Sequence, residues 1–224
     1  QAPTQVGDNM ENGSGEDDMS QFTTPATLSE HMIICGAATK PLVLLHCLLK
    51  LKFERTLIFT SSKESTFRLC TLLRTYGGIS CEQFSSSLKS NERRSIIERF
   101  KAGELQVVVC SDALARGMDL DGVANVISYD PPLYPRTYIH RIGRTARAGA
   151  KGATYTLLRR QELRHFKQLR SSINNKTLPL LSFKAEDYKP FEEGYSRALE
   201  SLERLIKGSK EQKSLTKSLT KVLA

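Results

Sequence analysis

The sequence predicts an α/β fold: a parallel sheet covered by helices on both faces, with a helical extension at the carboxyl end. Three observations lead there. The runs TLIFT (56–60) and LQVVVCS (105–111) are short, rich in β-branched residues and largely apolar, as strands buried on both faces are. Segments with helical apolar spacing stand between such runs, some opened by Ser and closed by Gly. The alternation of the two kinds of segment holds through the middle of the chain, the pattern of βαβ units.

The elements follow in order. Residues 1–23, rich in Gly, Ser, Asn, Asp and Glu, offer little to bury and read as a disordered acidic linker. The folded domain is expected over 24–175. Leu28–Cys35 is strand-like, and Thr39–Leu51 has helical apolar spacing. After TLIFT a helix is expected over Ser62–Tyr76, started by Ser61 and Ser62 and stopped by Gly77 and Gly78. ISCEQF (79–84) is the next strand and SNERRSIIERFKAG (90–103) a helix, followed by the LQVVVCS strand. Ala124–Tyr129 is a strand, and Pro131, Pro132 and Pro135 force an extended loop after it. Thr137–Thr145 reads as helix, Gly152–Leu158 as strand and Gln161–Ile173 as helix. Beyond about Lys176 the alternation stops. Residues 176–207 read as a helical extension around the amphipathic Phe191–Ile206, and 208–224, with two SLTK repeats, as a Lys-rich flexible tail.

Charge narrows the function. The 224 residues carry +9, but residues 1–20 hold five acids and no Lys or Arg, so the other 204 carry +14. A basic body of this kind favours a polyanionic partner, nucleic acid first, through phosphate contacts. The five cysteines form an odd set without a CxxC pair and stand mostly in apolar runs. They read as small buried hydrophobes of a reducing, intracellular compartment, with no metal site. The acidic, polar start does not resemble a signal peptide. The longest apolar run, Pro41–Leu49, is far too short to span a bilayer.

Two motifs carry the chemistry. HRIGRTARAG (140–149) gathers His140, Arg141, Arg144 and Arg147; read as helix, it puts Arg144 and Arg147 on one face, one turn apart. Two guanidinium forks side by side suit a polyphosphate, since each offers planar, permanently charged donors. SDALARGMDL (111–120) follows a strand, as HRIGRTARAG follows another, and ligands of open parallel sheets bind beyond the carboxyl ends of strands.

Taken in order, TLIFTSSKES (56–65), SNERRSIIERFKAG (90–103), SDALARGMDL (111–120), VISYDPP (126–132) and YIHRIGRTARAG (138–149) resemble the second RecA-like domain of DEAD-box RNA helicases, over about residues 25–170. The resemblance implies a RecA-like sheet and a share in ATP-dependent RNA unwinding. It implies that Arg144 and Arg147 are arginine fingers reaching the γ-phosphate across an interdomain cleft, a contribution of about 10³–10⁵ in rate for fingers in general. It gives His140 and Arg141 coupling roles, His140 toward the acidic motif of the partner domain and Arg141 toward the preceding motif. Gly117 and Asp119 would contact ATP phosphate and ribose; pairing of Asp119 with Arg141 is the equal alternative. Ser61, Ser62, Arg93 and Ser111 would hold RNA phosphates, which positions a strand but reads little sequence.

By the same resemblance the cofactors are ATP and Mg²⁺ in the full-length protein, with none held tightly by this chain. The partners are RNA, the upstream RecA-like domain and ribosome-assembly factors, with no membrane. The serine run at 85–87 and the SYDPPLYPRTYIHRIGRTARAG block are most similar to the ribosome-biogenesis branch of the family, which implies ribosomal precursor RNA and a place in the nucleus and nucleolus. A scaffold module that binds RNA or protein without ATPase activity is the alternative reading.

The chain departs from the family pattern at three places. Ser85, Ser86 and Ser87 stand where many members have His-Gly-Asp, Ser90 takes a Gln position, and Ala146 replaces a common Gly. Ala at 146 is expected to fit the helix and leave both arginines in place. Neither a GxxxxGK[ST] phosphate loop nor a DEAD-like acidic motif occurs in the 224 residues, so the chain is expected to be half of an active site and inactive alone.

Overall fold

The computed structural model describes residues 24–115, 120–173 and 178–222. Seven parallel strands form one sheet in the order β3-β4-β2-β5-β6-β1-β7. They are β1 (Leu28–Ile34), β2 (Thr56–Thr60), β3 (Cys81–Phe84), β4 (Val107–Ser111), β5 (Asn125–Ser128), β6 (Gly152–Leu158) and β7 (Leu180–Leu181). β2 lies between β4 and β5, and all five of its residues are buried, which is why TLIFT has no polar alternation.

Helices cover both faces. Ile58, Val107, Val109 and Ile127 point to one side, against α1 (Lys40–Leu45) and α2 (Lys63–Tyr76). Leu57, Phe59, Val108 and Cys110 point to the other, against α3 (Ser90–Lys101). The same face continues under α5 (Pro135–Ile142) and α6 (Leu163–Ser171), where Met32 and Leu158 meet Tyr138, Ile142 and Phe166. The short α4 (Asp112–Ala115) follows β4 directly. α1 widens at His46–Lys50 into a π-helical turn, and its His46 Nδ1–H donates to the carbonyl of Asp187, 2.7 Å away, at the end of which α7 (Ala185–Tyr188) is strapped to the body.

The carboxyl-terminal region differs from expectation. β7 adds a two-residue strand to the edge of β1, too brief for any periodicity to announce. α8 (Glu192–Val222) packs Ala198 and Leu202 on Leu72 of α2 and forms a third layer. It continues through 208–222, where a flexible tail was expected: no Pro interrupts it, and Leu and Lys are good helix formers. The expected linker at 1–23 lies outside the described residues.

Candidate functional site

The strand order reverses at β2 and β5. The connection after β2 leads toward β4 and β3, and the one after β5 toward β6, so a crevice opens above their carboxyl ends. The register brings Thr60 beside Ser111 and Phe59 beside Ser128. Across this crevice the Asp130 carboxylate accepts the Ser61 backbone N–H at 2.8 Å, so the loops after β2 and β5 are tied together.

Arg141 is the centre of the arrangement. Its Nε and Nη2 donate to the two carboxylate oxygens of Asp112 at 2.6 and 2.8 Å, while Nη1 donates to the Asp130 carbonyl at 2.6 Å. The guanidinium also lies over the Phe59 ring, 5.0 Å from its centroid. With its side chain 3% exposed, Arg141 is a fully partnered structural cation that fixes α5 against the ends of β4 and β5. Sequence reasoning expected Arg141 to tie back to the preceding motif but did not name Asp112 as the carboxylate it binds. The alternative partner Asp119, like Gly117, lies outside the described residues.

α5 begins at Pro135, whose fixed φ suits a first helical position, and ends at Ile142 with Gly143 as its cap. Arg144 and Arg147 therefore do not stand on a common helix face, as expected from the spacing, but on the turn that follows. Ala146 has φ +55° and Ala148 φ +50°, both left-handed, so the chain could not have remained helical there. Ala146 does not fit a helix at all; it occupies a left-handed position that glycine would take without strain. The arginines still point back along α5. Arg144 Nε donates to the His140 carbonyl at 3.3 Å and Arg147 Nε to the Gly143 carbonyl at 2.7 Å. Two cations over terminal carbonyls also complement the negative end of the helix dipole.

Beside this turn is a cleft of about 200 Å³, lined among others by Asp112, Tyr134, Arg136, His140, Arg141 and Arg144. Its wall carries Arg136 and Arg144 beside aromatic and apolar surface, with the single carboxylate of Asp112 engaged by Arg141. Such a surface can receive a polyanion and stabilise charge developing on it.

The serines behave less uniformly than the sequence implied. Ser62 is the N-cap of α2, its Oγ accepting the Ser65 N–H at 3.1 Å, so its hydroxyl already has a structural partner. Ser61 is exposed at the same turn, and Ser111 ends β4 almost buried. Arg93 donates through Nη2 to the Ser86 carbonyl at 2.9 Å, and Ser85 and Ser87 share a hydrogen bond at 2.6 Å. The serine run and Arg93 are thus one unit, which neither segment revealed alone. Behind Ser111, burial pushes the Cys110 thiol up to about 12. Among the described residues no cluster of three His, Cys, Asp or Glu could hold a metal ion, and no helix is long and apolar enough to cross a membrane.

Residues 39–149 match the family described as helicase conserved C-terminal domain. The chain is 37% identical over 205 residues to ATP-dependent RNA helicase DDX51 of Homo sapiens, covering 92% of this chain and 31% of that protein. It is 41% identical over 198 residues to ATP-dependent RNA helicase dbp6 of Schizosaccharomyces pombe, covering 85% and 32%. The chain spans about a third of the length of these curated relatives. Among solved structures, Mss116p DEAD-box helicase domain 2 bound to an RNA duplex superimposes with a TM-score of 0.63 at 26% identity, covering 75% of this chain and 69% of that one.

Proposed function

The chain belongs to the DEAD-box RNA helicases as their helicase conserved C-terminal domain, and from that premise we propose that it is the half of an ATP-driven RNA-unwinding enzyme that senses the γ-phosphate and grips the RNA backbone. Arg144 and Arg147 act as arginine fingers. The observation that carries this reading is the Arg141–Asp112 clamp: it fixes the end of α5, so the finger turn leaves the helix at the mouth of the cationic cleft. When an upstream RecA-like domain presents ATP there, the two guanidiniums neutralise charge building on the transferring phosphoryl group. Gly117 and Asp119 complete the ATP contacts, and His140 relays the state of the cleft to the upstream domain.

RNA lies across the neighbouring loops. Ser61, Ser111 and the Arg93–Ser86 unit face phosphates at the carboxyl ends of β2, β4 and β3 respectively, while Ser62 supports the turn after β2 as its cap and offers a backbone N–H at a helix start. Mg²⁺ would come with ATP and be held by residues of the upstream half, and there it would screen phosphate charge. This chain alone hydrolyses ATP no faster than buffer. In the whole protein the RNA is ribosomal precursor RNA, the setting large-subunit assembly in the nucleolus, and the further partners assembly factors; the likeness to DDX51 and dbp6 supports that branch.

The test is RNA-stimulated ATP hydrolysis by this domain joined to its native upstream half, wild type against Arg147→Ala. Turnover should fall about 10³-fold with RNA binding retained. Unchanged turnover would make the turn structural and leave an RNA- or protein-binding scaffold as the function.

A further inference from the structure

We propose that Glu30, Tyr138 and Arg170 form a positioning network that ties α5 to β1, beyond the strands the Arg141 clamp reaches, and thereby aims the turn carrying Arg144 and Arg147. The proposal rests on the finger reading and extends it to three residues outside the cleft.

The three come from separate elements: Glu30 from β1, Tyr138 from α5 and Arg170 from α6. The Tyr138 hydroxyl donates to the Glu30 carboxylate. Arg170 stands with both terminal nitrogens 3.4 Å from the Glu30 oxygens and its guanidinium 5.0 Å from the centre of the Tyr138 ring. The side chains of Arg170 and Glu30 are only 5% and 8% exposed. Phe166 meets the Tyr138 ring edge-on, with centroids 5.7 Å apart.

A buried ion pair is a weak stabiliser, because desolvation offsets most of its attraction and apolar residues of the same volume would serve as well. Its distinctive property is direction. Among the described residues, Nε and Nη1 of Arg170 have no hydrogen-bond acceptor and Nη2 donates only a long bond, 3.4 Å, to Glu30 Oε1, so the guanidinium is held mainly by charge and by the ring beneath it. The Tyr138 O–H is the link with defined geometry, and it joins α5 to β1.

α5 needs such a link. Eight residues make barely two turns, too few to be rigid by themselves. Arg141 ties the helix to the ends of β4 and the central strand β5, and a single anchoring side chain lets a short rod pivot. Tyr138 ties it to β1, two strands beyond β5. With both in place the carbonyls of His140 and Gly143, over which Arg144 and Arg147 fold, have one position. Fingers displaced by about 1 Å lose most of their effect, so the network acts on rate and not on substrate affinity.

The experiment has two readouts. In this chain, amide hydrogen exchange of Tyr138→Phe, which removes the hydroxyl and keeps the ring, should show protection at Arg144 and Thr145 lowered about tenfold, with the β2 and β4 amides unchanged. In the chain joined to its upstream half, Tyr138→Phe should lower kcat about tenfold with KM for ATP unchanged. Unaltered exchange at the finger turn overturns the proposal, and so does a uniform loss of protection across the sheet, which would mean a merely structural role. Altered exchange with unaltered kcat overturns it too, provided Arg147→Ala abolishes turnover in the same preparation. If Arg147→Ala leaves turnover intact, the finger reading itself has failed, and the proposal falls with it.

Discussion

Thr145 occupies the space that a side chain at Gly152 would need. A Cβ built on Gly152 would lie 2.1 Å from Thr145 Oγ1 and 2.6 Å from the Ala146 backbone nitrogen. Thr145 is held there by its hydroxyl, which donates to the Val123 carbonyl at 2.6 Å. The first residue of β6 is therefore glycine so that the finger turn can lie directly against the sheet. Gly152→Ala is expected to cost about 2–4 kcal/mol, from overpacking and a broken buried hydrogen bond. Urea denaturation measures it, and adding Thr145→Ala should recover only part, because the backbone nitrogen of Ala146 remains in the way.

The Arg141 clamp is asymmetric in what it tolerates. Asp112→Ala leaves a buried guanidinium without its carboxylate and should cost about 3–5 kcal/mol, while Asp112→Asn keeps one acceptor and should cost less. Arg141→Lys should resemble the alanine variant more than wild type, since an ammonium cannot bond both oxygens of Asp112 and the Asp130 carbonyl from one planar fork. Thermal or chemical denaturation of the three variants gives the ranking. Equal stability of Arg141→Lys and wild type would contradict it.

Ser62 allows its capping and RNA roles to be separated. Ser62→Ala removes the bond to the Ser65 N–H and should destabilise by about 1 kcal/mol, whereas Ser62→Gly should cost only a few tenths. If the hydroxyl acts only as a cap, Ser62→Gly binds a single-stranded oligonucleotide as wild type does. Weaker binding by the glycine variant at unchanged stability would assign the hydroxyl to RNA.

Two thiols give the fold a pH dependence at the alkaline end. Burial pushes Cys47 and Cys110 each up to about 12, from an ordinary value near 9. Below the ordinary value both states keep the proton and the contribution is fully present. From about pH 9 upward the unfolded chain loses these protons and the folded one does not, so stability falls toward pH 12 by about 1.4 kcal/mol per unit for each thiol. Urea midpoints at pH 8, 9.5 and 10.5 should decline accordingly, and replacing both residues with Ala should make the slope shallower, the raised Cys81, Tyr129 and Tyr138 leaving the remainder. Native chains should also resist alkylation at both positions at pH 8.

Much of this architecture is written in local patterns. TLIFT needed no tertiary knowledge, because a strand buried on both faces is largely apolar along its length. The family motifs pointed to the same loops that the strand order brings together at β4, β2 and β5. Where local reasoning failed, long-range contact was the cause. The spacing of Arg144 and Arg147 suits a helix, yet Thr145 is captured by the carbonyl of Val123, more than twenty residues away, and the chain turns left-handed at Ala146 to let it. No window of sequence contains that competition.

The sequence by itself determined the α/β alternation, six of the seven described strands, the basic character of the body and the identity of the charged motif residues, since periodicity and side-chain chemistry are local properties of the chain. Only the tertiary structure decided which carboxylate holds Arg141, which hydroxyl serves as a cap, and which buried trio anchors α5. The reason is physical: a hydrogen bond or ion pair depends on separations of a few ångströms between groups such as Glu30 and Arg170, which stand 140 positions apart and meet only once the sheet has formed.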